Sequence, residues 1–186
     1  YEIDLNKRMF HAENTKLKNS LYFNIESIGT FSDYLSRVEK GGDYPKFESY
    51  QDDFKIHFFN GFSCSGSIKI ERESFYFDRK KSPLQLSFNN NYLKGIFFCN
   101  LLQLKEGSLS AENVSAKFYF NENDSLFHPE MRFRYDDLKK NIYLKRYDDT
   151  YLGFKPISNS FHGFNIYSDF FRVNMESNIG SFVHFP

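Results

Sequence analysis

Residues 131–147 read MRFRYDDLKKNIYLKRY, and the pattern of this stretch continues through most of the chain. Apolar and polar side chains alternate in 131–135 and again in 141–147, which is the two-residue period of a strand with one buried face. Between them, 136–141 holds Asp and Asn, which favour turns. The stretch therefore predicts a β-hairpin with its tip at 136–141.

The tetrapeptide Arg-Tyr-Asp-Asp occurs twice here, at 134–137 and at 146–149. Its four aspartates would form an acid/base or metal site only if the two pairs met. In the predicted hairpin one pair lies at the tip and the other at the far end of the second strand. At ~3.3 Å per residue, the pairs are roughly 20 Å apart. The hairpin therefore excludes one site built from both pairs.

Working outward, short alternating runs separated by turn signals such as Asn60-Gly61 fill the chain from about residue 53 onward. Residues 1–19 read as one possible short strand followed by a linker or a frayed helix. Apolar residues at 28, 31, 35 and 38 recur at helical spacings, Thr30 can cap a helix, and Gly41-Gly42 can end it. These signals predict one helix over about 29–40.

The fold class predicted from these patterns is mainly β, with an α+β character at the N-terminus. We expect an antiparallel sandwich or barrel of about nine to eleven short strands with one N-terminal helix. The length of 186 residues fits a single globular domain, 1–186, with room for a small α-containing N-terminal lobe at 1–50.

Composition limits the classes of function. The 24 Phe and 13 Tyr favour strands and a large aromatic core. Lys plus Arg equals Asp plus Glu at 24 each, so no general charge attracts the chain to nucleic acid, and the short basic runs at 79–81 and 139–140 lie in predicted turns. No apolar run reaches the ~18 residues of a membrane span. We expect a cytoplasmic protein, allowing for a missing N-terminal segment because the chain starts at Tyr1.

Catalytic motifs are not found in the sequence. It contains no GxSxG, GxxxxGK[ST], GxGxxG or HExxH, so we expect neither an enzyme nor a cofactor. Cys64 and Cys99 lack metal-finger spacing and are expected to be two separate buried thiols, with a disulfide as the alternative. Acidic residues and one histidine at 122–137 offer oxygen ligands for a hard cation but match no calcium-loop spacing: Glu122, Asp124, His128, Glu130, Asp136 and Asp137.

A binding protein is therefore the favoured class. We expect a non-enzymatic module, of the inhibitor, immunity or antagonist type, that docks a protein partner through outward Tyr and Arg side chains. The expected surface comprises Tyr119, Arg132, Arg134, Tyr143, Arg146, Tyr147 and Tyr151. One alternative is a barrel that binds an apolar small molecule in a Phe-lined interior. Another is a metal-assisted hydrolase that uses the acidic loop 122–137. The sequence leaves the partner and the oligomeric state open.

Overall fold

Alternating side chains form strands along nearly all of the chain that the structure describes. The structure is a computed structural model and describes residues 1–20, 25–35, 44–90, 92–146 and 155–183. These residues form seventeen strands and one short 3₁₀ helix, η1 (Phe59–Gly61). The strands are β1 (Glu2–Asp4), β2 (Met9–Asn19), β3 (Ile25–Tyr34), β4 (Lys46–Ser49), β5 (Phe54–His57), β6 (Phe62–Glu71), β7 (Ser74–Asp78), β8 (Leu84–Asn89), β9 (Lys94–Cys99), β10 (Leu101–Lys105), β11 (Ser108–Tyr119), β12 (Ser125–Asp136), β13 (Asn141–Arg146), β14 (Ile157–Asn159), β15 (Phe164–Ile166), β16 (Phe170–Asn174) and β17 (Ile179–Val183).

The strands belong to one antiparallel sheet in which most of them pair with a neighbour in sequence. Three long strands organise it. The C-terminal half of β6 pairs with β7 and its N-terminal half with β8. The N-terminal half of β11 pairs with β10 and its C-terminal half with β9. β12 pairs with β11 on one side and with β13 and β14 on the other. The result is a meander that leads from β1 to β17.

The sheet curls so that two of its long strands face each other. β6 and β12 are separated in the ladder by β8, β9 and β11. On a flat sheet four strand spacings would place them about 19 Å apart. Yet the ring centroids of Phe62 on β6 and Tyr135 on β12 are 4.6 Å apart. The inner face of the sheet therefore closes over a shared core.

Phenylalanine rings fill that core. Phe62, Phe77, Phe88, Phe97 and Phe118 are each at most 2% exposed. Neighbouring rings are in contact, with centroids 5.3 Å apart for Phe97 and Phe118 and 5.2 Å apart for Phe62 and Phe88. Burying such side chains stabilises the fold by roughly 1.5–3 kcal/mol each before entropy is counted. Nine of the 24 Phe are buried in the described part of the chain, so core packing explains part of the aromatic composition.

The predicted helix over 29–40 is wrong. Residues up to Tyr34 continue strand β3, which pairs with β2 and β4, while 36–40 lie outside the described residues. On β3 the buried positions are Ser27 and Gly29, and Ile28 is 45% exposed. A Cβ at Gly29 would overlap the Glu48 carbonyl oxygen, so the glycine allows β4 to approach. Strand pairing thus overrides the helical spacing of the apolar residues.

The mainly β class is confirmed, but the expected number of strands is too low. Residues 9–19, interpreted as a linker or frayed helix, form β2. Long alternating runs are also divided, as at Asn100 between β9 and β10. The described part of 1–50 is β, so no α-containing lobe is found there. The single-domain assignment of 1–186 stays a prediction.

The described residues include no helix with the length and apolar character that a membrane crossing requires.

Candidate functional site

The hairpin predicted at 131–147 is confirmed as far as residue 146. β12 and β13 pair in register, with Arg134 opposite Tyr143 and Arg132 opposite Lys145. Four residues, 137–140, form the turn. Met131, Phe133 and Tyr135 point into the core, which directs Arg132 and Arg134 to the outer face. Asp148 and Asp149 lie outside the described residues, so the distance between the two aspartate pairs stays a prediction.

The outer face gains further members from the flanking strands. Tyr143 is opposite Arg172 of β16 on its other side, and Lys145 is opposite Phe170. Ser110 of β11 is opposite Arg134. Paired residues on neighbouring strands have Cβ atoms about 4.5–5.5 Å apart, so these side chains are adjacent. We call the following residues the Tyr143 face: Ser110, Glu112, Arg132, Arg134, Asp136, Lys139, Tyr143, Lys145, Phe170 and Arg172.

Tyr143 is held at the centre of this face. Asn141 donates a hydrogen bond from Nδ2 to the Tyr143 Oη at 3.0 Å, and Asn174 donates to the Asn141 Oδ1 at 2.9 Å. The Phe170 ring packs beside Tyr143 with centroids 5.7 Å apart. The ring is thus half-buried, and its orientation is fixed by its neighbours in the sheet.

Cations outnumber carboxylates around Tyr143. Arg132 donates from Nε to Glu112 at 2.9 Å in an exposed ion pair. Arg134 donates from Nε to the Ser108 hydroxyl at 3.3 Å. Within the described part of the chain, Arg134, Lys145 and Arg172 have no carboxylate within ion-pair distance. A groove of about 420 Å³ lies beside Tyr143 and is lined by four cations, Arg132, Arg134, Lys139 and Lys145, and by two acids, Glu112 and Asp136.

The remaining expected surface residues do not join this face. Tyr119 lies at the other end of β11, opposite Ser125, with the Lys117 ammonium 4.8 Å from its ring centroid. Nine residues of β12 separate Ser125 from Arg134, a distance of roughly 30 Å. Arg146 forms a largely buried ion pair with Asp169 at 2.6 Å, which makes it a structural residue. Tyr147 and Tyr151 lie outside the described residues.

Sequence reasoning missed Lys145, Phe170 and Arg172. Alternation in 170–174 places Phe171 and Val173 inside and therefore Arg172 outside, so the exposure of Arg172 could be predicted from the sequence. Its position beside Tyr143 was not, because 28 residues separate the two in sequence and only the β13–β16 pairing joins them.

The acidic stretch 122–137 is not a loop. Nearly all of it is strand β12, which separates Asp124 from Asp136 by roughly 40 Å. Most of its acids have other partners. Asn121 donates to Asp124 at 2.7 Å, Lys155 pairs with Glu130 at 3.2 Å, and Lys140 pairs with Asp137 at 2.9 Å. Across the described ranges, no three His, Cys, Asp or Glu residues are grouped as a metal site.

His128 is a buried structural residue. Its Nε2 donates to the Lys155 carbonyl oxygen at 2.8 Å, and its Nδ1 accepts the Glu130 backbone N–H at 3.0 Å. These two bonds require the neutral ring with the proton on Nε2. Burial lowers the pKa of His128 below its usual range, in agreement with a neutral ring.

The two cysteines are free and buried, as expected. Cys64 on β6 and Cys99 on β9 both flank β8, opposite Leu86 and Leu84 respectively. Two strand spacings, about 9.6 Å, exceed the ~7 Å Cα separation that a disulfide spans. Burial raises the pKa of both thiols, that of Cys99 to about 12. Burial therefore disfavours the thiolate, which is the nucleophilic form of cysteine.

Comparison with known proteins gives no relative: no protein-family model matches the chain, and no curated protein and no solved structure matches it. The fold and the site together describe a curled antiparallel β-sheet protein whose outer face carries a basic patch centred on Tyr143.

Proposed function

We propose that this protein is a non-enzymatic binding module that docks a partner protein through the Tyr143 face and acts as an inhibitor or antagonist. One observation carries the proposal. A half-buried tyrosine, held by Asn141 and Phe170, lies among Arg134, Lys145 and Arg172, which have no carboxylate within ion-pair distance in the described part of the chain. Tyrosine and arginine are the residue types enriched at interface hot spots.

The mode of docking follows from the position of the face in the sheet. β12 and β13 are paired on both edges, β12 with β11 and β13, and β13 with β12 and β16. Their backbone groups are therefore already used in the ladder. A partner contacts side chains on this face and does not add a strand to it.

The two alternative functions have less support. For an apolar ligand in the interior, the rings of the core would have to separate, since Phe62, Phe88 and Tyr135 are in contact there. For a metal-assisted hydrolase, the acids of 122–137 would have to meet from opposite ends of β12. The Tyr143 face needs no such rearrangement.

Capture of the partner with matched tyrosine variants tests the proposal. The tagged protein is expressed in its source cells and recovered at moderate salt, and the stoichiometry of what accompanies it is measured. Tyr143→Ala should remove a stoichiometric partner. Tyr76→Ala is the control, because Tyr76 is also half-buried, and its hydroxyl also accepts a side-chain amide, from Gln103 at 3.2 Å.

Loss of the partner with Tyr143→Ala alone supports the proposal. Retention of the partner by Tyr143→Ala, or recovery of no stoichiometric protein with the parent chain, contradicts it. Far-UV circular dichroism of each variant shows that the sheet is intact.

A further inference from the structure

The charges around Tyr143 indicate the chemistry of the partner. Arg134, Lys145 and Arg172 surround the ring and lack ion pairs among the described residues, in a chain of net charge zero. An exposed cation gains from a carboxylate on a partner because no intramolecular pair has to be broken first. The face is therefore complementary to an acidic surface.

The spacing of these cations indicates the shape of the acidic segment. Lys145 is diagonal to Arg134 across the β12–β13 pair and diagonal to Arg172 across the β13–β16 pair. Diagonal neighbours in an antiparallel pair lie about 7–8 Å apart. In an extended peptide, side chains two residues apart point to the same side at a spacing of roughly 6.7 Å. Carboxylates at alternate positions thus match each of these two diagonal pairs. Arg134 and Arg172 lie about 10 Å apart across Tyr143, and their long side chains can reach outer carboxylates that are roughly 13 Å apart.

A nucleic acid matches the face less well. Single strands are bound by a charged groove together with aromatic rings on which successive bases stack. Here Tyr143 is half-buried, and its neighbour Phe170 packs against it. The face therefore offers charge without a series of stacking platforms.

We propose that the Tyr143 face binds an extended acidic segment of the partner protein, with alternate carboxylates on Arg134, Lys145 and Arg172. This inference rests on the proposed function and adds the chemistry of the bound segment. Each contact is an exposed ion pair, so affinity arises from several of them together and falls with salt.

Four labelled probes test the inference by fluorescence anisotropy at 50 mM and 200 mM NaCl. The first is a dodecapeptide in which Glu and Ser alternate. The second has the same composition, but its Glu residues form adjacent pairs separated by two Ser, so no two Glu residues are two positions apart. The third replaces every Glu of the first by Gln, and the fourth is an oligothymidylate with six phosphates.

The alternating Glu peptide should bind several-fold more tightly than the paired isomer, and the Gln peptide should not bind. Arg134→Glu combined with Arg172→Glu should weaken the alternating peptide about tenfold or more, since two attractions become repulsions. Arg79→Glu combined with Lys81→Glu makes the same charge change at exposed positions in the turn between β7 and β8, outside the face, and should leave binding unchanged.

Three results would overturn the inference: equal binding of the Glu and Gln peptides, equal loss with both double variants, or tightest binding of the oligothymidylate. The two proposals fail separately. If no acidic peptide binds but partner capture still depends on Tyr143, only the acidic segment is wrong. If capture does not depend on Tyr143, the docking face itself is wrong.

Discussion

Replacing Phe62 and Tyr135 by leucine, singly and together, tests whether β6 and β12 face each other across the core. Both side chains have no measurable exposure, and their ring centroids lie 4.6 Å apart. Each substitution removes ring volume from a close-packed site and should cost about 1–2 kcal/mol. Tyr135 also donates from Oη to Asp137 at 3.0 Å, so its loss should cost about 1 kcal/mol more.

The informative quantity is the coupling between the two substitutions. An aromatic pair contributes about 0.5–1.5 kcal/mol beyond the area that it buries. The double variant should therefore be more stable than the sum of the single effects predicts, by an amount in that range. Urea unfolding followed by circular dichroism and by tyrosine fluorescence gives the four free energies of unfolding when the two transitions coincide.

Phe98 provides the matched control. It lies on β9 and is 42% exposed on the outer face of the sheet. Phe98→Leu should cost less than 1 kcal/mol and should add to Tyr135→Leu within about 0.5 kcal/mol. Additivity of Phe62→Leu and Tyr135→Leu would refute the curled sheet, because residues four strand spacings apart on a flat sheet do not couple.

Three further predictions concern buried groups. Because burial lowers the pKa of His128 in the folded state, the unfolded chain binds the proton more readily, and the stability of the fold should decrease as the pH drops below about 6.5. His128→Gln should flatten that part of the plot of melting temperature against pH, and an unchanged plot would contradict the neutral ring. Cys64 and Cys99 should resist a thiol reagent at pH 8 in the folded protein and react together in denaturant, and one fast thiol in the folded state would contradict their burial. Gly29→Ala should lower the urea midpoint by more than a typical surface substitution, since its Cβ would overlap the Glu48 carbonyl oxygen, and an unchanged midpoint would show that β4 does not pack closely on β3.

The hairpin at 131–146 was predictable because its determinants are local. Side chains on a strand point alternately to the two faces, so the apolar residues of MRFRY mark the inner face and their neighbours the outer one. The four-residue turn 137–140 joins the strands, and Asp136 at its start accepts a hydrogen bond from the Lys139 backbone N–H at 3.1 Å. The outward direction of Arg132, Arg134 and Tyr143 follows directly from this alternation.

The helix prediction is wrong because strand pairing, and not the spacing of apolar residues, decides the conformation of 25–34. Ile28 and Phe31 satisfy a helical interval, but β2 and β4 offer backbone partners on both sides of this segment. Pairing of that kind depends on residues far away in sequence, and it outweighs a weak local preference.

The sequence by itself determined the strand-rich character and the outward direction of Arg132, Arg134 and Tyr143, because both depend on a two-residue period that neighbours in the chain define. Only the tertiary structure decided which outward residues meet. In the folded protein Arg172 lies beside Tyr143, and Tyr119 lies at the far end of β11. Arg146 forms an ion pair with Asp169. The physical reason is that strand order arises from long-range pairing, and sheet curvature from closure over the core. The local alternation of apolar and polar residues determines neither the strand order nor the curvature.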